Sequence, residues 1–265
     1  MKNKIWIMLL AFFSILTIVF GGISFRQYMD SKTSNENFEK LEDLVEWVPE
    51  STVTEETTES TEEGGLSDEE LEALERAQAQ EKYGKLFAKN NDFMGWICIE
   101  GTGVNYPVMQ TPHYPDYYLK KNFYKEYSDY GVPYIEEACA MGISNNVVIY
   151  GHHMNDGSMF ADLVKYYDQD YYNAHPIIQF DTISSFGTYE IIAAFKFDTD
   201  NETFRYNEFV TMDEESFGEF MKEVHKRQAY DTGKTAEYGD ELLTLSTCEY
   251  TYKNGRFVVV AKKVE

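Results

Sequence analysis

Residues Ile5 to Phe25 form a 21-residue run interrupted only by Ser14, Thr17, Ser24 and two glycines. Wound as a helix, such a run spans about 30 Å, the hydrocarbon thickness of a bilayer. Lys2 and Lys4 precede it closely, so the positive-inside bias keeps the N-terminus in the cytoplasm and sends everything after Arg26 outside. A cleaved signal peptide shares the basic start, but its apolar core usually covers only about 7 to 15 residues and ends at an A-x-A-like site. Residues 1–26 therefore read as an uncleaved single-pass membrane anchor.

Behind the anchor the composition turns to Glu, Thr and Ser, culminating in the run from Thr52 to Gly65, with too few apolar residues to offset the entropy of ordering. Residues 27–66 read as a self-repelling, extended stalk, although Phe38 to Trp47 has the pattern of a short amphipathic helix. Between Gln27 and Glu70 there are 15 acids against two lysines, which accounts for 13 of the 23 net negative charges. The acidity thus belongs mostly to the stalk, and a net charge of −23 has the wrong sign for binding a phosphate backbone.

Residues 67–265 carry the folded domain, and a 43% apolar fraction in the whole chain is enough to bury a real core. Ser67 and Glu70 form a capping box that opens a helix reaching about Lys89. Beyond it, β-rich runs at 95–99, 146–150, 189–197, 242–246 and 257–261 are separated by Gly, Asn, Asp and Pro turn signals. Phe160, Leu163, Val164 and Tyr167, and then Phe217, Phe220, Met221 and Val224, recur at helical spacing. Many strands with few crossover helices indicate a mainly β fold, a barrel or sandwich with helices outside.

Three cysteines form no C-x-x-C pair and leave an odd count, so at least one thiol is free. Cys98 and Cys139 lie in apolar or small-residue settings that suit buried structural thiols. Cys248 is different: it ends the run Leu243-Thr-Leu-Ser-Thr-Cys248 where a polar stretch begins, at the exposed mouth of a buried strand. Arg256 starts the next strand across a turn containing Asn254-Gly255, and hairpin geometry brings a guanidinium beside the thiol, where it favours thiolate and oxyanion alike. A solvated edge-strand Arg is the plain alternative. His152 and His153 follow strand 146–150 through Gly151, where an imidazole with a pKa near 6.5 takes and returns protons. A zinc pair is disfavoured, because adjacent side chains diverge on a strand and no further ligands complete a set.

Together, Gly151-His-His-Met with Asp156 to Leu163, Thr244 to Cys248, and Gly255 to Val260 resemble a class B sortase, as does the opening Asn91 to Gln110. The resemblance covers roughly residues 86–263 and implies an eight-stranded sortase-type β-barrel with peripheral helices, preceded by the anchor and stalk. It implies a cysteine transpeptidase in which Cys248 attacks the Thr carbonyl of a C-terminal sorting signal on a secreted protein, His152 shuttles protons and Arg256 holds the oxyanion. The acceptor would be an amine of the peptidoglycan cross-bridge or its lipid-linked precursor. An extra helix before the Cys strand maps onto Asp213 to Tyr230, and substrate contacts onto Leu119, Tyr150, Tyr206, Ser246 and Glu249. Family members often carry Asn where His153 stands, so a second imidazole here perturbs His152 or takes its role.

The resemblance calls for no metal and no cofactor, and the sequence holds no Gly-rich phosphate loop. A pilin polymerase of the same class, using a pilin Lys amine, is a close variant. A papain-like hydrolase places Cys before His, the reverse of the order here. A non-catalytic surface module, binding a ligand such as a glycan through a face drawn from 21 Tyr and 18 Phe, is the remaining class.

Overall fold

In the computed structural model, residues 2–45 and 67–264 are described, so the Thr/Glu-rich core of the expected stalk lies outside them. The chain divides into two compact units, one through Lys40 and one from Leu41 onward.

The first unit is helical. Helix α1 (Lys2–Glu42) includes the apolar run, and an 18-residue window within its portion Leu10–Glu42 reaches a mean hydropathy of 1.5, long and apolar enough to cross a membrane. It continues past Phe25 through the first part of the expected extended stalk. Pairs at i,i+4, Arg26 with Asp30 and Lys32 with Glu36, explain this, because opposite charges one turn apart favour the helix over self-repulsion.

The second unit opens with α2 (Asp68–Lys89). Its capping box forms as the sequence indicates, Ser67 Oγ accepting from Glu70 N and Glu70 Oε2 accepting from Ser67 N at 2.9 Å. Eight strands follow: β1 (Phe93–Cys98), β2 (Asn105–Met109), β3 (Tyr134–Ile135), β4 (Asn146–Tyr150), β5 (Ile177–Thr182), β6 (Thr188–Asp198), β7 (Leu242–Glu249) and β8 (Gly255–Lys263). They close into a barrel in the order β1-β2-β3-β4-β7-β8-β6-β5, which leaves no open sheet edge. The expected eight-stranded barrel is thus the fold found.

Most ladders are antiparallel, but β4 runs parallel to β7, with Asn146 opposite Leu242 and Tyr150 opposite Ser246. Both strands are covered on two sides, which is why they read as near-continuous apolar runs rather than as alternation. Buried Asn146 caps the pair: its amide donates to Phe209 O and its Oδ1 accepts from Thr244 Oγ1, both at 2.8 Å.

Between strands, α3 (Gln169–Ala174) and α4 (Glu214–Arg227) pack outside the barrel. The apolar pattern at Phe160 to Tyr167 forms a 3-10 helix, Ala161–Tyr167, rather than an α-helix. The helix expected at 213–230 is α4, capped by Asp213 and ending at Arg227. Phe204, Phe209 and Phe220 meet with ring centroids 5.3 to 5.9 Å apart, and Arg227 lies over Phe204 while pairing with Glu202. This cluster fixes the connection that carries Arg205, Tyr206 and Asn207 to the barrel mouth.

Gly95 is the tightest point of the wall: a Cβ there would lie 2.0 Å from Asp181 O on β5, backbone that cannot swing aside. Gly95→Ala is expected to cost about 1–3 kcal/mol, a melting temperature lower by about 3–10 °C for a domain of this size. An unchanged melting curve would contradict this packing.

Candidate active site

The site is built by register. Cys248, near the end of β7, stands directly opposite Arg256 on antiparallel β8. Directly opposed residues send their side chains to the same face, so thiol and guanidinium share one side of the sheet. On the other flank of β7, the parallel ladder with β4 reaches Tyr150 and Ser246 and is extended by Gly151 N donating to Ser246 O at 3.1 Å. Thr247 Oγ1 adds a bond to Gly151 O at 2.8 Å. The next residue, His152, therefore emerges level with the Cys248 end of β7.

Gly151 makes this passage possible. A Cβ there would lie 2.5 Å from the buried Phe160 ring, so any larger residue would push the chain away from β7. Cys248, His152 and Arg256 then line one groove of about 380 Å³, together with Leu119, Tyr134, Tyr150, Tyr206 and Ser246.

The imidazole of His152 is held at one nitrogen. Its Nε2 lies 2.7 Å from Leu119 O, and because a carbonyl only accepts, the proton sits on Nε2. In the neutral ring, Nδ1 is then the basic atom. Burial lowers the His152 pKa, opposed by the Leu119 contact and aided by Lys120. The carbonyl itself is positioned by a 3-10 helix, Tyr117–Lys120, entered through Asp116 in the left-handed region at φ 56. Asp116 accepts from Tyr134 OH at 2.6 Å.

Arg256 half-faces solvent and donates to Gly255 O at 3.1 Å. Among the described residues no carboxylate forms an ion pair with it, which leaves most of its donors for an incoming anion.

Of the residues expected to touch substrate, Leu119, Tyr150, Tyr206 and Ser246 line the groove. Tyr206 OH and Ser246 Oγ lie 2.8 Å apart in its wall. Glu249 does not line it: the strand's alternation turns its carboxylate away, to Lys196 at 3.1 Å and to Thr251. The groove also contains residues the sequence reading passed over, namely Asp116, Glu136, Glu137, Arg205 and Asn207. Glu136 is buried, accepts from Tyr150 OH and Asn207 Nδ2, and has its pKa raised by burial and by the neighbouring Glu137 carboxyl. The pair Glu136-Glu137 ending a short apolar run opposite a strand with Tyr150 was the available signal.

His153 is turned away from the groove that His152 lines, its Nδ1 3.0 Å from Cys248 O. Cys139 is buried, receives Val148 N–H at 3.5 Å and has its thiol pushed up to about 11 by burial. Cys98 is half-buried and its pKa is likewise raised by burial. Neither lines the groove. Among the described residues, no three His, Cys, Asp or Glu side chains form a metal cage.

Comparison with known proteins agrees with this architecture. The Sortase domain family matches residues 97–264. A sortase B of Listeria monocytogenes is 34% identical over 178 residues, covering 66% of this chain and 71% of that protein. A sortase B of Staphylococcus aureus is 27% identical over 256 residues, covering 95% of this chain and 93% of that protein. The structure of a Staphylococcus aureus sortase B-substrate complex superposes with a TM-score of 0.71 at 26% identity, covering 89% of this chain and 99% of that one.

The lowered pKa of His152 has a measurable sign. In an NMR titration its ring is expected to take up a proton with a midpoint below 6.5, the ordinary value; a midpoint at or above 6.5 would contradict the burial argument. The same shift makes folding lose stability as acidification passes 6.5 toward the folded-state value, because the unfolded chain binds that proton more readily.

Proposed function

Because the chain belongs to the sortase family, in its class B branch, we propose that it is a membrane-anchored cysteine transpeptidase. It cleaves a C-terminal sorting signal of secreted proteins after Thr and passes the acyl group to a cell-wall amine. The observation that carries this reading is Cys248 facing Arg256 across β7 and β8, with His152 at the end of the adjoining strand around one groove.

In the first half-reaction, His152 takes the Cys248 proton as the sulfur bonds to the Thr carbonyl carbon. The carbonyl oxygen becomes an oxyanion, and the Arg256 guanidinium donates hydrogen bonds to it. The C–N bond to the following residue breaks as the imidazolium returns its proton to the leaving amine, which leaves a thioacyl enzyme. In the second, the acceptor amine attacks the thioester, His152 takes its proton, and the C–S bond breaks to regenerate the thiol. A half-buried imidazole suits both halves, because burial favours its neutral form, the form that accepts a proton.

The acceptor is an amino group of the peptidoglycan cross-bridge or its lipid-linked precursor. α1 is the anchor, single-pass with a cytoplasmic N-terminus, and it holds the barrel on the outer face. Substrates retained there by their own apolar tails meet the enzyme at raised effective concentration.

Incubating the protein with a library of sorting-signal peptides and several amines, with products read by mass spectrometry, tests the reading. Transpeptidation products that vanish in Cys248→Ala and His152→Ala are expected; unchanged product in Cys248→Ala overturns it. For Arg256→Lys, a point charge replaces a planar fork, and turnover is expected to fall about a hundredfold. Near-normal turnover would make Arg256 a surface charge only.

A further inference from the structure

Beyond Tyr150 and Ser246, the β4–β7 ladder gives way to single bonds, and the segment carrying His152 leaves the sheet. The catalytic imidazole and the catalytic sulfur therefore sit just past the point where strand pairing holds their backbones together.

A second set of contacts takes over there. His153 Nδ1 lies 3.0 Å from the carbonyl of Cys248 itself, so Nδ1 carries hydrogen and donates. In return, Tyr250 OH donates to His153 O at 3.2 Å, and the two rings pack with centroids 5.2 Å apart. On its far side the same segment is tied down: His153 bridges Met159, a buried residue held at φ 60, and Phe160 N donates to His152 O at 2.8 Å.

We propose that His153 is a positioning residue, and that with Tyr250 it forms a reciprocal clasp joining the backbone beside the base to the backbone of the nucleophile. The clasp sets the separation of the His152 ring and the Cys248 sulfur without touching substrate. It also assigns the second imidazole a use other than proton transfer: its Nδ1 is committed to a carbonyl, and its ring is committed to Tyr250.

The proposal rests on the transpeptidase reading for its consequence, but the geometry makes a demand of its own. The donor must sit one bond beyond Cγ. Asn presents its amide nitrogen there, as His presents Nδ1; Gln carries its amide one bond too far. A residue serving only to fill space would not separate these two amides.

The test uses the full-length protein and the variants His153→Ala, His153→Asn, His153→Gln and Tyr250→Phe. Three readouts are taken: melting temperature, the rate at which iodoacetamide alkylates Cys248, and kcat and KM on a cleaved sorting peptide. With misplacement of a catalytic group worth up to about a hundredfold, His153→Ala and His153→Gln are expected to lose about ten- to a hundredfold in kcat with KM within about twofold. His153→Asn is expected to stay within about threefold of the parent. Tyr250→Phe, which keeps the ring and loses the donor, is expected to fall between.

Alkylation of Cys248 is expected to rank the variants in the same order, since it responds to how the imidazole meets the thiol. Equal rates for the Asn and Gln variants, or parental rates for His153→Ala, would overturn the clasp. A parent protein that cleaves no peptide would instead overturn the transpeptidase reading, and the alkylation series would still decide for or against the clasp.

Discussion

Register among three strands is the constraint on which the rest of the structure depends. β4, β7 and β8 lie side by side, and the hydrogen bonds that align Tyr150 with Ser246 and Cys248 with Arg256 decide which groups meet. A slip of one residue in β8 would turn the guanidinium to the opposite face, because side chains alternate along a strand. Glycines enforce the alignment by closeness: a Cβ at Gly255 would lie 2.4 Å from Glu249 O, and one at Gly151 would enter the Phe160 ring.

That scaffold also sorts the electrostatics of the groove. A fixed cation, Arg256, faces the sulfur without a carboxylate to neutralise it among the described residues, while Asp116 and Glu136 are engaged by tyrosine hydroxyls. These two acids are thereby held by neutral donors, and the guanidinium remains available to an anion in the groove. The imidazole is partly desolvated and pinned at Nε2, so its tautomer is chosen by the Leu119 carbonyl.

What the sequence disclosed follows from how strongly each element signals. β4 was legible to the residue because Asn146 to Tyr150 is a short apolar run bounded by turn residues, and Cys248 stood out where such a run meets polar sequence. β3 escaped notice at two residues, and β5 because its alternation is short and blurred at both ends, by apolar Ile177 at an exposed position and polar Thr182 at a buried one. The turn of Glu249 out of the groove depends on Lys196, a partner 53 positions earlier that no local pattern names. The helical continuation after Phe25 lay in i,i+4 charge pairs, which composition alone reads as repulsion. The acids at Glu136 and Glu137 belong to the groove only because β3 pairs with β4, a long-range fact.

The most direct measurement is the crystal structure of the protein treated with a sorting-signal peptide ending in an aldehyde at the Thr position. The hemithioacetal formed at Cys248 places a tetrahedral oxygen where the oxyanion would stand. The expected result is that oxygen within about 3.0 Å of the Arg256 guanidinium, a hydrogen-bond distance, with the His152 ring on the side from which the amine departs. An adduct oxygen pointing to solvent, with Arg256 turned away from it, would contradict the shared face that the account assigns to sulfur and guanidinium.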